Sequence, residues 1–325
     1  MLYFSLNGGD NMEWYYILTT IICSILILNM IFTLIISYVC YKLTFFVDRK
    51  KAIDDSEMPL GDDFSQYEHI ILSNMKKAKE SEYQDFYITS FDGLKLHGMY
   101  FETFKNGPIE ILFHGYRGSA FRDMSAGIER AKSVGRNALL VEQRTCGESE
   151  GKVISFGINE RHDCVSWINF VIEHFGDNVE IYIGGVSMGG STVLLASSMN
   201  LPSNVKGILA DSSFFTAKDI IKKVVNDLKL PPNICYPFIK LGAKLYGKFN
   251  LEETTPIEAV KNTNIPIIFY HGEADAFVPC EMSVKLYMAC NSKKKIVTIP
   301  DSGHGLCYLV DPKKYVNELK EFIEN

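Results

Sequence analysis

Three stretches of this 325-residue chain carry residue types that could act together on a carbonyl group. Gly185-Val186-Ser187-Met188-Gly189 fits the pattern G-x-S-x-G. His271-Gly272-Glu273-Ala274-Asp275 and Ser302-Gly303-His304 follow it in the chain. A serine hydroxyl is a poor nucleophile until a base takes its proton, and a histidine can do so near neutral pH. A carboxylate on the far ring nitrogen fixes the histidine tautomer and stabilises the imidazolium that forms. The order Ser…Asp…His is the one that accompanies a serine held on a strand–turn–helix elbow. These roles fall to Ser187, Asp275 and His304. The oxyanion of the tetrahedral intermediate needs preorganised N–H donors. Met188 supplies one as the residue after the nucleophile, and Tyr116, in His114-Gly115-Tyr116-Arg117-Gly118, supplies the other. Asp211 is the rival acid, since it also ends an apolar run; Asp275 is preferred because the strand before the histidine is the usual source. His97 is read as structural, His114 and His271 as shaping glycine turns, and Cys146 as an inert thiol.

The pentapeptide alone would recur by chance in roughly one chain in ten of this length. Its surroundings make it a signal. The apolar run Ile181 to Val186 precedes it and a helical pattern through Val193, Leu194 and Ala196 follows. Glycine at 185 and 189 lets backbone approach backbone in the turn. Ile109–Phe113, Ala138–Val141, Gly207–Ala210, Ile265–Tyr270 and Lys295–Ile299 are further short apolar runs, separated by helical patterns. This alternation predicts a mostly parallel sheet with helices on both faces, preceded by a hairpin about Asp92-Gly93. Every chemical motif falls at the carboxyl end of a predicted strand, where such sheets bind ligands.

Between Asp211 and Ile265 lies more chain than a crossover needs. Phe214 to Val225 and Ile234 to Phe249 read as lid helices broken by Leu230-Pro231-Pro232-Asn233. Phe214, Phe215 and Phe277 are the expected walls of an apolar acyl pocket, although sealing the lid onto the domain would use the same aromatics. Six lid lysines (Lys218, Lys222, Lys223, Lys240, Lys244, Lys248) read as solvated helix faces or as a contact with anionic headgroups.

Trp14 to Tyr41 carries no charged residue and as a helix would be about 42 Å long, enough to cross a ~30 Å hydrocarbon core with tilt. The segment before it holds Asp10 and Glu13 and no lysine or arginine, unlike a signal peptide. Lys42, Arg49, Lys50 and Lys51 flank its other end, so the positive-inside rule places the rest of the chain in the cytoplasm. Asp48 to Glu82 reads as a juxtamembrane linker with a turn-rich break at Pro59-Leu60-Gly61-Asp62-Asp63 and a short helix around Tyr67 to Lys79. A net charge of −6 without a basic block excludes nucleic acid as a partner, and the eight cysteines show no paired C-x-x-C spacing for a structural metal.

The quoted motifs, together with His271-Gly-Glu-Ala-Asp-Ala-Phe-Val-Pro, resemble serine hydrolases of the α/β-hydrolase superfamily, and in particular membrane-anchored members of the esterase/serine-aminopeptidase-like group. The resemblance covers roughly Asp85 to the C-terminus and implies a cofactor-free acyl transfer under a helical lid. The expected organisation is an extracytoplasmic segment (1–13), a transmembrane helix (14–47), a linker (48–82) and an α/β-hydrolase domain (83–325) with a lid at about 212–262. Hydrolysis of a carboxylic ester of a small acyl substrate is the first expectation, a peptidase with the same three residues the second. A silent tethered binding protein comes third, since nothing in that role needs all three residues.

Overall fold

The alternation of short apolar runs and amphipathic stretches assembles into one eight-stranded sheet in the computed structural model, which describes residues 8–48 and 62–324. Its strands are β1 (Gln84–Thr89), β2 (Lys95–Phe101), β3 (Ile109–Phe113), β4 (Asn137–Glu142), β5 (Ile181–Val186), β6 (Val205–Asp211), β7 (Ile267–Gly272) and β8 (Lys294–Ile299). They lie in the order β1-β2-β4-β3-β5-β6-β7-β8, antiparallel across the first two pairings and parallel from β4 onward. The expected hairpin joins β1 to β2, with Gly93 at φ +87. The inner parallel strands β3 and β7 are buried along their whole length, which is why they read as mostly apolar rather than alternating runs; the one acid of β3, Glu110, is paired with Arg130 and Arg136, and the edge strand β8 is only half-buried.

The helices, in chain order, are α1 (Gly8–Thr44), α2 (Asp62–Ser65), α3 (Glu68–Glu80), α4 (Ala120–Ser133), α5 (Glu160–Phe175), α6 (Met188–Ala196), α7 (Ala217–Asp227), α8 (Pro232–Gly242), α9 (Pro256–Ala259), α10 (Glu281–Ala289), α11 (Cys307–Val310) and α12 (Pro312–Glu324). One face of the sheet, with Ile111 and Ile183, packs on α5, α6 and α10. The other face takes α4 against Leu112 and Leu140, and α12 against Leu209 and Val297. Helix α6 is buried all round, as a helix in the middle of a layered core must be. The lid is α7 and α8, continued by one π-helical turn (Ala243–Gly247) and α9.

Two expectations are corrected here. First, the end of the helix read as membrane-spanning is seated on the domain. Ser37, Tyr41 and Phe45 are buried, and Phe45 packs edge-on to Phe156 and Phe249 in a core shared with α7 and α8. A Cβ at Gly242 would run into the Ser37 carbonyl, so α8 and α1 meet backbone to backbone. Second, part of the segment read as a linker belongs to the folded unit. Ile71 and Met75, on the apolar face of α3, pack against Leu306, and Ala78 joins the core beneath α4. Residues 1–7 of the short N-terminal segment, and Arg49, Lys50, Lys51 and Pro59-Leu60-Gly61 of the linker, lie outside the described residues.

Candidate functional site

Ser187 sits between β5 and α6 with φ +58 and ψ −118, a backbone conformation that costs free energy for a residue with a Cβ. The surroundings enforce it. The Ser187 N–H donates to the Asp211 carbonyl (2.8 Å), and α6 begins at once with Met188. A Cβ at Gly185 would strike the backbone of Gly189, and one at Gly189 the carbonyl of Phe113. The two glycines are therefore what allow the strand to turn into the helix over a single residue. The first N–H groups of a helix have no partner within it, so the Met188 N–H remains available beside Ser187.

His304 follows β8. Its Nδ1 lies 2.7 Å from Asp275 Oδ2, and its ring is 5.1 Å from that of Phe277. The loop behind it is held by a bond from the Gly305 N–H to Ser212 Oγ. Asp275 follows β7, with its carboxylate fully buried. Its Oδ1 accepts from the N–H groups of Phe277 (3.0 Å) and Val278 (2.8 Å), and its Oδ2 also faces His271 Nε2 at 3.2 Å. Burial pushes its pKa up, but the bonds from His271 and His304 outweigh this and hold it low, at about 2. The carboxylate is thus ionised at any working pH, and it faces the ring nitrogen that points away from the cavity.

Ser187, His304, Gly115 and Tyr116 line one cavity of about 720 Å³. Ser187 itself makes no hydrogen bond to His304 among the described residues; such bonds often close only around a substrate. Asp211, the rival acid, is engaged elsewhere. Its Oδ2 accepts from the Tyr315 hydroxyl (3.1 Å) and its Oδ1 from Ser212 Oγ (3.0 Å). His114 is buried, and its Nε2 accepts the Gln143 N–H while its Nδ1 contacts the Gly115 carbonyl. Burial lowers its pKa, so it stays neutral and braces the loop. His97 bridges Asp85 and Glu142 across β1, β2 and β4. The Cys146 thiol contacts the Gly118 carbonyl. No group of histidine, cysteine and acidic side chains among the described residues could hold a metal ion.

The pocket expectation is corrected. Phe277 lines the cavity, but Phe214 is sealed in the core between Phe156 and α6, and Phe215 packs over the sheet with Lys285 above its ring. Those two aromatics fasten the lid. The apolar wall is built instead by Phe64 and Ile71, from the segment read as linker, and by Leu306 and Leu309. The repeat Ile71, Met75, Ala78 on α3 and the apolar residues just after His304 were the available signals. His271 was also missed as a partner of the acid; its spacing four residues before Asp275 was the clue.

The lid lysines are mostly engaged within the lid. Lys240 pairs with Glu252, Lys223 bonds the Ala276 carbonyl and Asp227, and Lys218 and Lys222 stand over the ring of Tyr236.

Comparison with known proteins agrees with this architecture. The Bacillus subtilis protein YqkD is 24% identical over 193 residues, covering 59% of this chain and 63% of its own length. The Schizosaccharomyces pombe protein bem46 is 22% identical over 207 residues, covering 63% of this chain and 64% of its own. The match thus spans a little under two thirds of either relative. Among solved structures, the Pyrococcus furiosus esterase Pf2001 superposes with a TM-score of 0.60 at 22% identity, over 77% of this chain and 94% of that one. The family model described as "Prolyl oligopeptidase family" matches residues 155–325, which include the serine elbow and both strand ends that carry Asp275 and His304. That match takes in more than half of the chain, and with the α/β-hydrolase sheet around it the chain belongs to the prolyl oligopeptidase family, within the serine hydrolases of the α/β-hydrolase superfamily.

Proposed function

We propose that this protein is a membrane-anchored serine hydrolase that cleaves a carboxylic ester through an acyl-enzyme on Ser187. The observation that carries the reading is His304, held by a buried, ionised Asp275 on one side and lining the cavity of Ser187 on the other. In the acylation step His304 takes the Ser187 proton as the hydroxyl oxygen attacks the ester carbonyl, and Asp275 stabilises the imidazolium. The N–H groups of Met188 and Tyr116 receive the oxyanion. His304 then returns the proton to the departing alcohol, and water attacks the acyl-enzyme by the same route to release the acid. No cofactor enters this sequence.

An ester is favoured over a peptide by the charges on the cavity wall. A peptidase that grips a free amino terminus needs a carboxylate to spare. The three that line the cavity are engaged: Asp123 by Arg122 and the Gly115 N–H, Asp211 by Tyr315 and Ser212, and Asp227 by Lys223. The wall of Phe64, Ile71, Leu306 and Leu309 suits an acyl chain. The family also leaves a peptidase as the second reading. A fluorophosphonate probe tests the nucleophile, and a panel of acyl esters against short peptides separates the readings. Absence of label on Ser187 in the active protein would overturn the first, and preference for peptides would favour the second.

The proposed anchor is α1. Trp14, Tyr15 and Tyr16 stand at one end of its exposed apolar stretch and Tyr38, Tyr41 and Tyr246 gather at the other. The stretch between them, Ile17 to Ile36, measures about 30 Å as a helix, the thickness of the ~30 Å hydrocarbon core, with aromatic residues at both borders. The burial of Phe45 in the domain speaks against a cleaved leader. The basic flank favours a cytoplasmic catalytic domain.

A further inference from the structure

We infer that the end of the membrane helix is a positioning element of the candidate active site, with Arg117 as the positioning residue that clamps the oxyanion loop to it. The inference rests on the proposed role of the Tyr116 N–H as an oxyanion donor. The last carbonyls of any helix lack partners within it. In α1 two of these are taken by the loop itself: the Tyr116 hydroxyl donates to the Thr44 carbonyl (2.7 Å) and Arg117 Nη2 to the Leu43 carbonyl (3.1 Å), with a further bond from Arg117 Nη2 to the Phe46 carbonyl just beyond the helix (3.1 Å). Arg117 Nε also donates to the Tyr116 hydroxyl (2.9 Å), which locks the two side chains into one cap. A guanidinium at a helix C-terminus further complements the helix dipole.

Two more features make the contact a brace rather than a chance neighbourhood. Arg117 has φ +51, a left-handed backbone that a residue with a side chain holds only where its surroundings over-determine it. The surroundings here are the end of α1 on one side and, on the other, Asp123 Oδ2 accepting from the Gly115 N–H (3.1 Å). A second route runs through packing. The Tyr116 ring lies 5.1 Å from that of Phe156, and Phe156 lies 5.9 Å from Phe45. The segment after α1 is stitched to the loop bearing Phe156 by Val47 N–H to Lys152 O (2.9 Å) and Ile154 N–H to Phe45 O (2.8 Å). The oxyanion donor is therefore fixed through its own side chain to the anchor, and the seat of α1 sets the geometry of the loop. Anchor and active site are one mechanical unit.

The test uses the full-length chain in detergent micelles. Arg117→Gln removes the clamp directly. Gly242→Val unseats α1 from the lid without touching the loop, because its side chain meets the Ser37 carbonyl. Hydrogen exchange at the amides of 115–118 is expected to accelerate about tenfold in both variants, with the amides of β8 unchanged. On a short soluble ester, kcat is expected to fall about tenfold with KM within twofold, below the 10²–10³ cost of losing an oxyanion donor outright. Arg117→Lys, which keeps the charge and one carbonyl bond, should recover a third or more of kcat. Unchanged exchange at 115–118 in both variants overturns the inference, as does a rise in KM at constant kcat, which would put Arg117 against the substrate. If hydrolysis by the wild-type protein does not depend on Ser187, the proposed function fails and the exchange data alone decide the brace.

Discussion

Replacing Asp275 with Asn tests which carboxylate orients His304, because an amide cannot satisfy the site in either orientation. With its NH₂ in the Oδ2 position, the side chain presents a donor to His304 Nδ1 and to His271 Nε2. Flipped, it presents that donor to the N–H groups of Phe277 and Val278. Either way a buried pair is mismatched, and the first arrangement favours the His304 tautomer that cannot accept the Ser187 proton. The expected cost in kcat is on the order of 10⁴-fold, about 5.5 kcal/mol in the barrier, by the logic of the worked serine–histidine–aspartate system. Asp211→Asn disturbs Tyr315 and Ser212 instead, and kcat should fall less than about tenfold even where melting shifts. The assay is steady-state hydrolysis of a chromogenic acyl ester by full-length protein, with melting measured for both variants. Asp275→Asn retaining more than a tenth of the activity, or Asp211→Asn costing more than Asp275→Asn, would refute the assignment.

Ser187→Ala should leave melting intact and lower kcat by roughly 10³-fold or more, since the covalent route closes; fluorophosphonate labelling should vanish with it. Stability carries an acid signature. The folded pKa of Asp275, about 2, lies below the ordinary 3.8, so its contribution of about 2–3 kcal/mol is present above pH 4 and is lost as pH falls through 2; Asp275→Asn should flatten that part of a melting-versus-pH curve. Ile71→Ala should weaken the preference for long over short acyl esters severalfold, whereas Phe214→Ala should cost about 3–5 kcal/mol of stability with little effect on chain-length preference. Protease added to sealed, right-side-out cells should leave the catalytic domain uncut, and digestion there would reverse the proposed topology.

The sequence by itself determined the sheet and the candidates for its chemistry, because the signals for both are local. Continuous apolar runs such as Ile267–Tyr270 specify strands buried on both faces, and alternation with helices selects parallel pairing. Gly185 and Gly189 mark a turn that only glycine permits, and Asp275 and His304 follow strands whose carboxyl ends must converge in a parallel sheet. The apolar length of α1 is local in the same sense. What only the tertiary structure decided is which surfaces meet. Phe214 and Phe215 have the composition of an acyl pocket, but apolar side chains do not encode whether they face a cavity or another helix; the packing of the lid buried Phe214 in the core and laid Phe215 against it. The apolar face of α3 was visible as a pattern without a partner, and its partner, Leu306, lies more than two hundred residues away. Nothing in the sequence near Gly242 names Ser37 as the backbone it meets, and nothing near Arg117 names the carbonyls of Leu43 and Phe46 that it bonds. Periodicity and turn chemistry act over a few residues, while a docking contact depends on two distant segments being complementary, a property of the pair that neither segment carries alone.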